Sequence, residues 1–297
     1  VIVSQQDFLQ LQQIAVEAAS KAGRLITQRA EEELVVETKE GGSSASYQVV
    51  TEVDRAAQDM IHQILQPTCD EYQIGWLGEE SGDDRSRLKQ EYFWCVDPLD
   101  GTVPFIKKTP GYSVSIALVS QTGKPCIGVV YNPTDQSLLS GLVGEGCYYQ
   151  QELVQSPEAS SPLGKTLTVS VDRSFEGHPL FKDIIQELEK AVQPLGYSKV
   201  QPQYYGGAVM NASRALLYPD TCYFKFPRSQ DGGGCLWDFA GTAALFTSAG
   251  AHVSDIYGNP LELNRKESLF MNHKGVLYTW SPELARIIMT LFKSKYL

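Results

Sequence analysis

The sequence predicts two joined halves, an α+β half built on an antiparallel sheet and then an α/β half. Three observations carry this. Apolar residues recur at helical spacing over the first thirty residues, and strand-like alternation interrupted by a turn fills 112–132. Beyond about residue 165, short apolar runs alternate with helical ones. Between the two patterns lies 155-QSPEASSPLGK-165, a Ser/Pro/Glu-rich stretch that sets the expected domains at 1–160 and 161–297. With 297 residues, 42% of them hydrophobic, the chain is long enough to bury a substantial core.

The elements follow in order. Phe8, Leu11, Ile14, Ala15, Ala18, Ala22 and Leu25 form the apolar face of a first helix. A polar Gly/Ser loop, 38-TKEGGSSASYQ-48, leads to 49-VVTEVD-54 and a second helix whose apolar face is Ala57, Met60, Ile61, Ile64 and Leu65. Residues 83–89 read as a charged connection. A short strand at 92–96 is expected to stop and turn, and 112-YSVSIALV-119 with 126-CIGVVYN-132 makes a hairpin across 120-SQTGKP-125. In the second half, helices are expected at 180–192, 208–217 and 237–248, with strands at 168–171, 221–226 and 275–278. Ser281 and Pro282 supply the cap and first residue of a last helix.

Composition excludes several functions. Thirty-five acidic against 25 basic side chains give a net charge of −10, which repels a nucleic-acid polymer, and an anionic small molecule would need metal cations to invert the local field. The six cysteines show no CxxC spacing, which argues against a zinc ribbon or redox pair and for thiols in a reducing cytosol. Nowhere do 18 apolar residues run together, and no basic segment precedes an apolar one at the N-terminus. A cytoplasmic protein without membrane contact, monomeric or homodimeric, is expected.

The acids are where the chemistry gathers. In 97-DPLDG-101, Pro98 fixes φ and Gly101 relieves steric restriction, so Asp97 and Asp100 can face one point from a tight bend. A helix cap at Gly101-Thr102 is the competing explanation for Asp100, but it accounts for one aspartate and not both. Glu79 lies in 78-GEES-81, and Asp54 in 51-TEVD-54, which also reads as a capping box. Asp238 stands in the apolar helix 236-LWDFAGTAAL-245 with no basic residue within one helical turn. A buried carboxylate needs a partner or a metal, and hard divalent cations ask for several oxygen ligands. Two or three Mg²⁺ ions are the expected cofactor, polarising a phosphoryl oxygen and activating water. His62, His178, His252 and His273 are isolated, and no Cys-x5-Arg phosphate loop is present, which removes the thiolate phosphatases.

Taken together, Glu79-Glu80, 97-DPLDGT-102 and 237-WDFAG-241 resemble the inositol monophosphatase superfamily of Mg²⁺-dependent, lithium-sensitive phosphatases, and 50-VTEVD-54 extends the likeness to an early helix. The resemblance implies a layered αβαβα sandwich, the sugar-phosphatase fold. It implies that Glu79, Asp97 and the carbonyl of Leu99 hold one metal, that Asp97, Asp100 and Asp238 hold a second, and that Glu79 holds a further, weaker one. Asp54 would work with Thr102 on the attacking water, while the N–H groups of Gly101 and Thr102 would bind phosphate.

Within the superfamily, 105-FIKK-108 and 250-GAHVSDIYGNPLELNRKESLFMN-272 are more similar to the 3′(2′),5′-bisphosphate nucleotidases, which convert adenosine 3′,5′-bisphosphate to AMP and phosphate. Lys225 and Arg228 are the expected contacts to a second phosphate. The glycines of 225-KFPRSQDGGGC-235 read equally as a mobile lid. An inositol monophosphatase or a fructose-1,6-bisphosphatase-like sugar phosphatase is the alternative.

Overall fold

The computed structural model describes residues 3–30, 36–38, 49–157, 164–172, 175, 177 and 179–296. His178, almost all of the expected loop at 38–48 and residues 158–163 of the expected linker lie outside them.

Helix α1 (Gln5–Ala30) begins at Ser4, whose hydroxyl accepts the Asp7 N–H at 3.2 Å while the Asp7 carboxylate accepts the Ser4 N–H at 2.7 Å. This reciprocal cap satisfies two backbone groups that helix geometry would leave open. Leu11, Ala15, Ala18, Ala22 and Ile26 recur on its buried face. A two-stranded ribbon, β1 (Val36–Thr38) and β2 (Val49–Thr51), leads directly into α2 (Glu52–Tyr72).

Next come β3 (Gly75–Gly78), β4 (Tyr92–Asp100), the short helix α3 (Thr102–Ile106), β5 (Ser113–Ser120), β6 (Pro125–Asn132), β7 (Ser137–Leu142), β8 (Gly146–Tyr149) and β9 (Glu152–Leu153). These strands form one sheet in chain order, β3 and β4 parallel and every later pair antiparallel. Strand β4 does not stop at residue 96 as the sequence suggests. It runs on to Asp100, pairing Asp97 with Ser115 and Asp100 with Ser113. Two residues, Pro98 and Leu99, therefore oppose Val114 alone, and this bulge gives a proline without an N–H a place within a strand.

The second half supplies β10 (Lys165–Ser170), α4 (Phe181–Ala191), β11 (Tyr197–Gln203), α5 (Ala208–Leu217), β12 (Thr221–Lys225), α6 (Leu236–Ala249), β13 (His252–Ser254), β14 (Val276–Thr279) and α7 (Pro282–Tyr296). Its sheet has the order β11-β10-β12-β14-β13, with β10 parallel to both β11 and β12 and β14 antiparallel to β12 and β13.

Five layers result, α-β-α-β-α. Helices α1 and α2 cover one face of the seven-stranded sheet, α5 and α6 lie between the two sheets, and α4 and α7 cover the far face of the five-stranded sheet. Three buried hydrophobic clusters fill the four interfaces: one lies under the outer helices of the seven-stranded sheet, one surrounds the middle helices and reaches both sheets, and one lies under the outer helices of the five-stranded sheet. Helix α6 is apolar on all sides because it has a sheet or a helix on each: Leu236, Phe239, Ala240, Ala244 and Phe246 are all wholly buried. Among the described residues, no helix is long and apolar enough to cross a membrane. None of the six cysteines forms a disulfide.

Candidate active site

The bulge in β4 and the start of α6 meet at a cleft of about 630 Å³. Asp97 and Asp100 reach it from the strand and Asp238 from the first turn of the helix, and a carboxylate oxygen of each lies within 4.8 Å of the other two. Glu79, just past β3, also lines the cleft, and its N–H donates to the carbonyl of Val96 at 3.1 Å. Leu99, Gly101 and Thr102 border it as well. Asp54 is buried in the first turn of α2 and is not among the lining residues, although β2, from which α2 continues, contacts α3, the helix that starts at Thr102.

Each aspartate is held by backbone donors. Asp97 Oδ1 accepts the Leu99 N–H at 3.1 Å across the bulge. Asp100 accepts the N–H groups of Ala208 at 3.1 Å and Val209 at 2.9 Å, so it does cap a helix, but that helix is α5 and not the one at Thr102. Gly207 precedes α5, and a Cβ there would fall 2.1 Å from Asp100 Oδ2; only glycine lets the carboxylate sit over this terminus. Asp238 Oδ2 accepts the Cys235 N–H at 2.6 Å, capping its own helix.

Burial is the largest influence on all three acids and raises their pKa values. Mutual repulsion adds to it: Glu79, Asp100 and Asp238 act on Asp97, and Asp238 on Asp100. Asp97 and Asp100 are thereby pushed well above the ordinary carboxylate range. Asp238 is pushed up to about 6, with the Cys235 N–H and the Lys225 ammonium pulling the other way. Backbone donors fix the geometry without neutralising the cluster. Hard oxygen ligands crowded in this way fit a divalent cation, whose charge would remove the repulsion.

The sequence shows no basic residue near Asp238, because the nearest comes from another element: Lys225 at the end of β12. Lys225 and Arg228 both line the cleft. Lys225 is already paired, however, with its Nζ 2.5 Å from Asp172 Oδ2. Asp172, just after β10, was not legible as a site residue, since nothing in the chain beside it marks it as more than a lone acid at a strand end.

In this structure the glycine-rich segment is hydrogen-bonded to residues 271 and 272. The Arg228 N–H donates to Asn272 O and the Met271 N–H to Gly234 O, each at 2.9 Å, and the Asn272 amide holds the carbonyls of Arg228 and Gln230. A Cβ on Gly234 would lie 2.5 Å from the Phe239 ring, so close packing explains that glycine.

The chain is similar along almost its whole length to known proteins. A family model described as the inositol monophosphatase family matches residues 7–293. The Nus factor SuhB of Escherichia coli (strain K12) is 39% identical over 246 residues, 82% of this chain and 85% of that protein. The 3′(2′),5′-bisphosphate nucleotidase CysQ of the same organism is 33% identical over 236 residues, 77% of this chain and 85% of that one. Among solved structures, the inositol monophosphatase from Anabaena (Nostoc) sp. PCC 7120 superposes with a TM-score of 0.68 at 21% identity, covering 96% of this chain and 97% of that chain, a likeness of fold.

Proposed function

The chain belongs to the inositol monophosphatase family of metal-dependent phosphatases, and from that premise we propose that it is a Mg²⁺-dependent phosphomonoesterase whose preferred substrate is adenosine 3′,5′-bisphosphate, released as AMP and phosphate. The observation that carries the catalytic part is the convergence of Asp97, Asp100 and Asp238 within 4.8 Å in one cleft. We assign Glu79, Asp97 and the Leu99 carbonyl to one Mg²⁺ and Asp97, Asp100 and Asp238 to a second, with Glu79 also serving a third. When bound, Mg²⁺ supplies charge to polarise the phosphoryl oxygens and acidifies water.

The chain's own residues do the rest. Asp97 and Asp100 hold their carboxylates rigid through the bulge and the α5 terminus. Thr102 borders the cleft, and in this reading its hydroxyl orients the attacking water while passing a proton toward Asp54. The N–H groups of Gly101 and Thr102 hold the phosphate that is cleaved.

Substrate choice rests on similarity to the nucleotidase CysQ and on the cations of the cleft, Lys107, Lys225 and Arg228. One observation favours the alternative, a singly phosphorylated polyol such as inositol 1-phosphate or a sugar phosphate. Lys225 is occupied by Asp172, which leaves Arg228 and Lys107 to meet a distal phosphate. A charge-assisted hydrogen bond from one of them contributes about 1.5–3 kcal/mol, roughly 10- to 150-fold in selectivity. Hydrolysis of a phosphate-ester panel with Mg²⁺ tests this: kcat/KM for the bisphosphate nucleotide is expected to exceed that for inositol 1-phosphate. Equal or reversed values would overturn the substrate and leave the phosphatase. A cytoplasmic enzyme that acts on a small substrate rather than on a nucleic-acid polymer accords with the net charge of −10 and the free cysteines, and we propose that it works as a monomer or homodimer.

A further inference from the structure

Asp172 is a carboxylate at the edge of the cleft that does not belong to the close cluster of Asp97, Asp100 and Asp238. Its acceptor positions are filled. Oδ1 accepts from the Asn211 amide at 3.0 Å and the Tyr223 hydroxyl at 3.2 Å, and Oδ2 from the same hydroxyl at 3.2 Å and from Lys225 Nζ at 2.5 Å. Asn211 and Tyr223 are both wholly buried. Two fixed interior donors thus hold Asp172 from behind, and Asp172 in turn holds the ammonium.

Lys225 stands beside the metal cluster. A Cβ on Gly233 would lie 3.9 Å from its Cε, and one on the next residue, Gly234, 3.6 Å from Asp238 Oδ2. Its Nζ is 5.7 Å from the centre of the Phe239 ring, the neighbour of Asp238 in sequence. A lysine stem is flexible and its ammonium is a point charge. Asp238, whose carboxyl its charge already acts on, is the neighbouring anion it would face once released from Asp172.

We infer that Asp172 is a positioning residue: it tethers the Lys225 ammonium away from Asp238, so that the carboxylate cluster keeps its negative charge for Mg²⁺ while the cleft keeps a cation facing the substrate. Asp172 and Lys225 together are neutral, so the pair adds no net charge to the metal site. Either residue alone adds a full one. The inference rests on the metal assignment made above.

Calorimetric titration of metal-free protein with Mg²⁺ alone tests it, with no turnover required. Asp172→Asn leaves an unbalanced ammonium and is expected to weaken Mg²⁺ binding about five- to tenfold. Lys225→Met alone leaves an unbalanced carboxylate and is expected to tighten binding several-fold. The double variant Asp172→Asn/Lys225→Met is expected to return to within about twofold of the wild type, because charge balance is restored. Wild-type binding by Asp172→Asn would overturn the inference, and so would a double variant as weak as Asp172→Asn, which would assign the loss to Asp172 itself. Should Asp172→Asn fail to fold, Lys225→Met decides alone, since unchanged or weaker binding there contradicts the tether. Failure of the wild type to bind Mg²⁺ would instead overturn the metal assignment, so the two failures are distinguishable.

Discussion

At the scale of single residues, Asp100 joins two demands, since its carboxylate caps α5 through Ala208 and Val209 and also lies in the acidic cluster. Asp100→Asn keeps an acceptor for one of those N–H groups and removes the charge. We expect kcat at saturating Mg²⁺ to fall on the order of 10²-fold or more, which is what the proposed metal-holding role of this charge predicts. Near-wild-type kcat would reduce Asp100 to a cap.

The same acids set a pH dependence of stability. Asp97, Asp100 and Asp238 all have folded pKa values above the unfolded one, in each case chiefly through burial. Above the unfolded pKa of about 4 the metal-free native state therefore holds more protons than the unfolded chain, and the contribution of these groups to stability falls as pH rises. For Asp238 the window closes near its folded value of about 6, and Asp97 and Asp100, both raised chiefly by burial, act in the same direction. Metal-free protein should have a higher Tm near pH ~5 than near pH ~7, with Mg²⁺ reducing the difference, and Asp238→Asn should flatten the slope. A metal-free Tm that climbs across that interval and is indifferent to Asp238→Asn would contradict the crowding of charge described here.

At the scale of elements, Gly207 decides how α5 meets the end of β4. Gly207→Ala would place a methyl 2.1 Å from Asp100 Oδ2 and push the carboxylate off the helix terminus. The expected cost is about 1–3 kcal/mol in unfolding free energy, with a higher Mg²⁺ concentration needed for half-maximal activity. Unchanged denaturation and Mg²⁺ requirement would show that the terminus tolerates another approach. Helical periodicity made α1 and α2 legible, and α5 and α6 run within a residue or so of the spans read from sequence, because a helix carries its signal locally. The β4 bulge was hidden by Pro98, which reads as a stop until the facing strand is known. Asp97, Asp100 and Asp238 stood out as acids where apolar segments begin or end. Asp172, Gly207 and the pairing of Lys225 did not, since each depends on a contact between segments remote in sequence.

At the scale of the molecule, the five layers bring the two halves of the chain to one cleft: β4 delivers Asp97 and Asp100, while α6 delivers Asp238 from beyond residue 230. Small cations are therefore expected to govern the whole enzyme. Lithium at millimolar concentration should inhibit steady-state turnover, checked by titration at fixed Mg²⁺; no inhibition would remove lithium sensitivity and leave the phosphatase. With a net charge of −10, the rate on the proposed doubly phosphorylated nucleotide is expected to depend on ionic strength, the cleft's cations acting only at short range.

The most direct measurement is phosphate release from adenosine 3′,5′-bisphosphate as Mg²⁺ is titrated into metal-free protein, followed by excess chelator. The carboxylate cluster at Asp97, Asp100 and Asp238 predicts no turnover without metal, saturable turnover with Mg²⁺, and its loss on chelation. Turnover that persists undiminished in excess chelator would contradict a metal-dependent site.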